Sequence, residues 1–189
     1  MFYTSKIQQA IKFATKVHIG QKRKGKEDPY IMHPLSVGLI LSRAGATEDQ
    51  VVAGILHDTI EDCDPHGSVT KELLEIEFGS DVARIVNDVS EQDKSLPWPE
   101  RKRAALDHVK EMQNDSVMVK SADVLHNLSD QIADFVEKGD EMFDSFNAKK
   151  LQQLDRYKNL LSELEKAYPQ NPLLSELREA VRMIKEIWI

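Results

Sequence analysis

Apolar side chains recur every three or four residues along almost the whole chain, and nowhere does a strand-like alternation persist beyond a few positions. That spacing builds helices with one oily face. The chain is therefore expected to be all-α, a single compact multi-helix domain over residues 1–189. Ile7, Ile11, Ala14 and Val17 mark a first helix ending near Gly20. A charged loop follows over 21–32, and Pro34 suits the first position of a second helix that ends near Gly45. Thr47 and Gln50 form a capping box for a third helix, expected to run through Asp62 and to be ended by the segment around Pro65. Further helices are expected over about 70–78, from Ser80 as an N-cap behind the stop at Gly79, from near Glu100, from Asp115 or Ser116, over 141–167, and after Asn171-Pro172.

Charge and cysteine usage narrow the function classes. Residues 1–26 carry seven Lys or Arg and no acid, yet the whole chain sums to −7. A basic segment on an acidic body attracts a small anion locally, while the body repels nucleic acid. Cys63 is the one cysteine, so no internal disulfide forms and a reducing, cytoplasmic setting is expected. No apolar run approaches the ~18 residues of a membrane span, and no apolar segment follows Lys6, Lys12 and Lys16, so neither a membrane partner nor a signal peptide is expected. Gly20 to Lys26 resembles a phosphate-binding loop, but Glu27 stands where Ser or Thr would hold magnesium and no strand precedes it.

Two helical segments carry the chemistry. In Val51–Asp62, continuing the helix places His57, Asp58, Glu61 and Asp62 within an arc of about 140°, beside the apolar face. Three acids at a helix C-terminus are unfavourable against the helix dipole, and a divalent cation relieves that cost. In Val117–Asp130, Asp123, Asn127, Lys120 and Asp130 form one narrow polar stripe on a helix otherwise apolar nearly all round. Asp123 is thus expected inside, paired either with Lys120 or with a metal. His33, in Tyr30-Ile31-Met32-His33-Pro34, adds a second imidazole. His18, His66, His108 and His126 lack acids at ligand spacing and read as packing residues. Two imidazoles and two carboxylates, His33, His57, Asp58 and Asp123, suit one mid-row divalent ion such as manganese or iron. Such an ion acidifies a water and polarises a phosphoryl oxygen, the chemistry of phosphate ester or anhydride hydrolysis.

The composite pattern His33…His57-Asp58-Thr59-Ile60-Glu61-Asp62…Asp123 resembles the HD superfamily of metal-dependent phosphohydrolases. With Gln21-Lys22-Arg23-Lys24-Gly25, Asp93-Lys94-Ser95-Leu96 and Lys120-Ser121-Ala122-Asp123, it is similar to the hydrolase domain of RelA/SpoT proteins, in their stand-alone form. The resemblance spans about residues 5–165. It implies manganese on His33, His57, Asp58 and Asp123, with Glu61 and Asp62 positioning and deprotonating the attacking water. It further implies Arg23 against a guanine base, Lys24 on phosphates and Asn127 on the ribose side. The implied activity is removal of the 3′-pyrophosphate of guanosine tetra- or pentaphosphate (ppGpp, pppGpp), giving GDP or GTP and pyrophosphate. Val124 and Ser121 stand where many long relatives have Arg and Leu, so an adenosine analogue is the second substrate reading. A silent nucleotide-binding protein would be expected to have lost one of the four metal residues or Glu61-Asp62, and all six are present. Nothing in the sequence sets an oligomeric state.

Overall fold

The computed structural model describes residues 3–61, 69–91, 95–146 and 148–189, the side chains of Trp98 and Ser145 apart. Among these residues the regular structure is helical: α1 Ser5–Val17, α2 Met32–Arg43, α3 Glu48–Leu56, α4 Lys71–Phe78, α5 Ser80–Val89, α6 Trp98–His108, α7 Asn114–Lys138, α8 Lys150–Ala167 and α9 Leu174–Trp188. The all-α expectation holds. The extended pairing among the described residues is one isolated antiparallel bridge, Lys22 to Pro29. No described helix is long and apolar enough to cross a membrane.

The architecture is organised by α7. Its apolar residues point in nearly every direction, so neighbours must cover it all round. Val117, Val119, Ala122 and Leu128 are fully buried, and α2, α3, α5, α8 and α9 pack about it. With 25 residues it runs ~37 Å. Any polar group on its covered middle must therefore find a partner in the interior.

Helices α2 and α3 pair closely because each offers a glycine to the other. A Cβ on Gly54 would lie 2.3 Å from Leu41 Cδ1, and one on Gly38 would lie 2.7 Å from Ile55 Cγ1. Leu41 is fully buried and has nowhere to retreat. Gly54→Ala is therefore expected to destabilise by ~1–3 kcal/mol through overpacking. Thermal unfolding should read this as a fall in Tm of order 5 °C; an unchanged Tm would show that the helices separate freely.

Several boundaries differ from the sequence expectation. The third helix stops at Leu56, with His57 as its C-cap, instead of continuing through Asp62. The His57 Nδ1–H donates to the Gly54 carbonyl at 2.8 Å, while the Thr59 amide and hydroxyl donate to the Leu56 carbonyl at 2.9 and 2.7 Å. These local bonds take up the last carbonyls of the helix, and the chain turns. Pro34 is the third residue of α2 rather than its first. Gly79, at φ +90°, both ends α4 and caps α5, so Ser80 opens α5 rather than capping it. The helix expected over 141–167 begins at Lys150, because Gly139 at φ +58° closes α7 and residues 139–145 wind as a 3-10 helix.

Candidate metal centre

The positions of the site residues follow from these helix ends. α2 brings in His33 on its first turn, the turn after α3 presents His57 and Asp58, and α7 carries Asp123 in its covered middle. His33 Nε2 lies 3.2 Å from His57 Nε2, 3.5 Å from Asp58 Oδ2 and 3.3 Å from Asp123 Oδ1. His57 Nε2 lies 3.1 Å from Asp58 Oδ2 and 3.8 Å from Asp123 Oδ1. Donor atoms ~2.1 Å from one common ion stand ~3.0 Å apart in octahedral and ~3.4 Å apart in tetrahedral geometry. The observed separations fall around that range, and the donors are nitrogen and oxygen without thiolate. His33, His57 and Asp58 fit a divalent ion, and an Asp123 oxygen lies beside them.

Electrostatics agree with that fit. Burial would lower the pKa of His57, but the Asp58 carboxylate outweighs it and raises the ring to about 9. Burial would raise Asp58, and the adjoining His57 instead holds it well below the usual carboxylate range. Asp123 is likewise held low against its burial, by Lys120 and His33. Two ionised carboxylates thus gather around imidazole nitrogens, a charge balance that would favour a bound cation.

Each of these side chains is held by a second group. His57 is fixed by Gly54, which leaves its Nε2 toward the centre. The Tyr30 hydroxyl donates to Asp58 Oδ2 at 2.7 Å. Lys120 Nζ donates to Asp123 Oδ2 at 2.9 Å and Asn127 Nδ2 donates to Asp123 Oδ1 at 2.6 Å. Asp123 is thus paired with Lys120, one of the two partners that the sequence left open, and its Oδ1 lies 3.3 Å from His33 Nε2.

His33 Nδ1 lies 2.9 Å from His126 Nδ1. Burial and then His33 push His126 down to about 4, so it is neutral and can accept the His33 Nδ1–H. His126 is therefore a positioning residue, which corrects its reading as a packing residue. Its sequence signal was its place three residues after Asp123 on the same helix. Such outer partners change metal affinity or activity by ~10–100-fold when removed. His126→Ala is expected to weaken manganese binding by that factor in a calorimetric titration; unaltered affinity and rate would contradict the role.

The other expected residues are placed as follows. Arg23 sits in a tight hairpin, where its amide donates to the Asp28 carbonyl at 2.9 Å and Gly25 turns at φ +73°. Its guanidinium donates to Asn127 Oδ1 and to Asp130 Oδ2, both at 2.9 Å, and lies 5.5 Å from the Tyr30 ring centroid. Arg23, Asn127 and Asp123 are thereby linked in one chain of contacts. Lys24 is exposed on the same hairpin. Glu61 is half-buried, and its Oε2 accepts the Glu91 amide at 3.0 Å. Asp62 and Cys63 lie outside the described residues, as do His66, Asp93 and Lys94.

The arrangement has known counterparts. The family model for the HD domain matches residues 10–153. The guanosine-3′,5′-bis(diphosphate) 3′-pyrophosphohydrolase MESH1 of Xenopus tropicalis is 44% identical over 127 residues, spanning 66% of this chain and 68% of that protein. The human MESH1 protein is 40% identical over 129 residues, spanning 67% of this chain and 69% of its own. A solved metazoan orthologue of SpoT, described as hydrolysing ppGpp, superposes with a TM-score of 0.79 at 28% identity, covering 96% of this chain and 97% of the other.

Proposed function

Because this chain belongs to the HD-domain family, in the stand-alone RelA/SpoT-like branch with the MESH1 pyrophosphohydrolases, we propose that it hydrolyses the 3′-pyrophosphate of ppGpp and pppGpp, releasing GDP or GTP and pyrophosphate. The observation that carries this reading is the convergence of two imidazole nitrogens and two carboxylate oxygens beside the Arg23–Asn127 contact. Our reading assigns one manganese ion to His33, His57, Asp58 and Asp123, in a protein working in the cytoplasm as one unit over residues 1–189.

A bound divalent ion supplies the positive charge that polarises a phosphoryl oxygen and makes a nearby water more acidic. The protein's own groups do the rest. Arg23, steadied by Asp130 and Asn127, offers a flat cationic face to a guanine ring. Lys24 brings positive charge to the phosphates from the exposed side. Asn127 orients the ribose side while holding Asp123. Glu61 accepts the proton of the attacking water, with Asp62 as its neighbour in sequence. The Glu91 amide keeps the Glu61 carboxylate in place.

Steady-state release of pyrophosphate from ppGpp and from its adenosine counterpart tests the substrate. A higher kcat/KM for ppGpp is expected from the Arg23 face; release from neither nucleotide would contradict the reading.

A further inference from the structure

The polar stripe of α7 continues one turn beyond the residues that meet Arg23. Wound at ~100° per residue, Asp123, Asn127, Asp130 and Asp134 fall within an arc of about 60°. Asp123 stands at the metal donors, and Asn127 and Asp130 hold Arg23. Asp134 meets Lys26 instead, whose Nζ lies 2.8 Å from Asp134 Oδ1 and 3.2 Å from Asp130 Oδ1. The Lys26 and Asp134 side chains are only 13% and 15% exposed. Solvent therefore screens this pair far less than an ordinary surface ion pair. Burial would lower the pKa of the Lys26 ammonium, and bonds to Asp134 and Asp130 outweigh it and raise it.

The hairpin over 21–30 is shaped to make this contact. Lys22 and Pro29 form its bridge, and the Arg23 and Tyr30 amides donate to the Asp28 and Gln21 carbonyls, both at 2.9 Å. Gly25, at φ +73°, turns the chain between Arg23 and Lys26, and the Lys26 amide donates back to the Arg23 carbonyl at 3.1 Å. Arg23 and Lys26 thus return to one carboxylate: Asp130 gives Oδ2 to Arg23 and Oδ1 to Lys26. The other lysines of the hairpin are used differently, since Lys22 pairs with Glu27 and Lys24 is exposed. A two-stranded hairpin is marginal on its own in water, so the groups that clamp it decide where it sits. The charges also balance, two cations on two carboxylates. Asp130 and Asp134 are four residues apart on one helix face and repel each other unless a cation lies between them. Without Lys26, Arg23 alone would answer both and be drawn down onto the helix.

We propose that Lys26 and Asp134 are positioning residues, a clasp that fixes the hairpin to α7 and holds the Arg23 guanidinium ready for its ligand. For a nucleotide base as that ligand, this rests on the proposed pyrophosphohydrolase reading.

The first test needs no substrate. Hydrogen exchange of the Arg23 and Tyr30 amides is followed by NMR, with amides of α9 as the reference for the rest of the fold. Lys26→Met and Asp134→Asn are each expected to accelerate exchange on the order of tenfold, and the double variant no more than either alone, because both remove one contact. Lys26→Arg, which keeps the charge, should restore most of the protection. Unchanged exchange in both single variants, or acceleration shared equally by α9, would overturn the clasp. The second test is steady-state hydrolysis of ppGpp in a cycle with Arg23→Ala. Lys26→Met is expected to raise KM about three- to tenfold with kcat altered less than about twofold, and to add nothing once Arg23 is alanine. A rise in KM that persists in the Arg23→Ala background, or a loss confined to kcat, would overturn the positioning role. Absence of turnover by wild type, with the exchange effect intact, would refute the substrate and leave the clasp standing.

Discussion

Asp58→Asn is expected to lower kcat/KM for ppGpp by more than ~10³-fold, because the metal's charge supplies several kcal/mol of transition-state stabilisation and each 1.36 kcal/mol is tenfold in rate. Asp58 Oδ2 stands 3.1 Å from His57 Nε2 and 3.5 Å from His33 Nε2. Asparagine keeps the shape and can still accept from the Tyr30 hydroxyl, so the fold should persist while the charge is lost. His57 also loses the neighbour that raises it to about 9, and the centre no longer draws a dication. Asp123→Asn is expected to act alike, with the added cost of leaving half-buried Lys120 without its carboxylate. The readouts are metal content after dialysis and kcat/KM at fixed free manganese. Normal rates in metal-controlled buffer would refute the assignment of these ligands.

Glu61→Gln separates chemistry from metal binding. We expect it to retain the ion and to lose ~10²–10⁴-fold in kcat, the usual range for a positioned proton acceptor. Glutamine still accepts the Glu91 amide, so the side chain stays where it is and only its basicity goes. The acidic limb of the pH–rate profile should vanish with it. Loss of the metal would make Glu61 a ligand, and a fall in kcat smaller than about tenfold would remove it from the proton transfer.

Much of this site was legible in the sequence because its signals are local. The apolar period fixed the helical class, and the narrow polar stripe on α7 predicted that Asp123 would be inside and partnered. The winding of His57 to Glu61 as helix was wrong in geometry, since the turn after Leu56 sets His57 and Asp58 by side-chain bonds that helical periodicity does not describe. The residues missed are those whose role depends on distant partners. His126 meets His33 across 93 positions, and Tyr30 meets Asp58 across 28. Lys26 of the hairpin meets Asp134 of α7, a pair that no motif spacing connects. Arg23 was expected against a base alone; its bonds to Asn127 and Asp130 tie it to α7, the helix that carries Asp123, as well.

The most direct test of the central claim is a product assay on metal-stripped protein. The protein is incubated with ppGpp, with and without added manganese, and the products are resolved by anion exchange beside Asp123→Asn. The account predicts GDP and pyrophosphate in equal amounts, only with manganese and only for wild type. Manganese-independent turnover, or an Asp123→Asn protein that matches wild type, would contradict it.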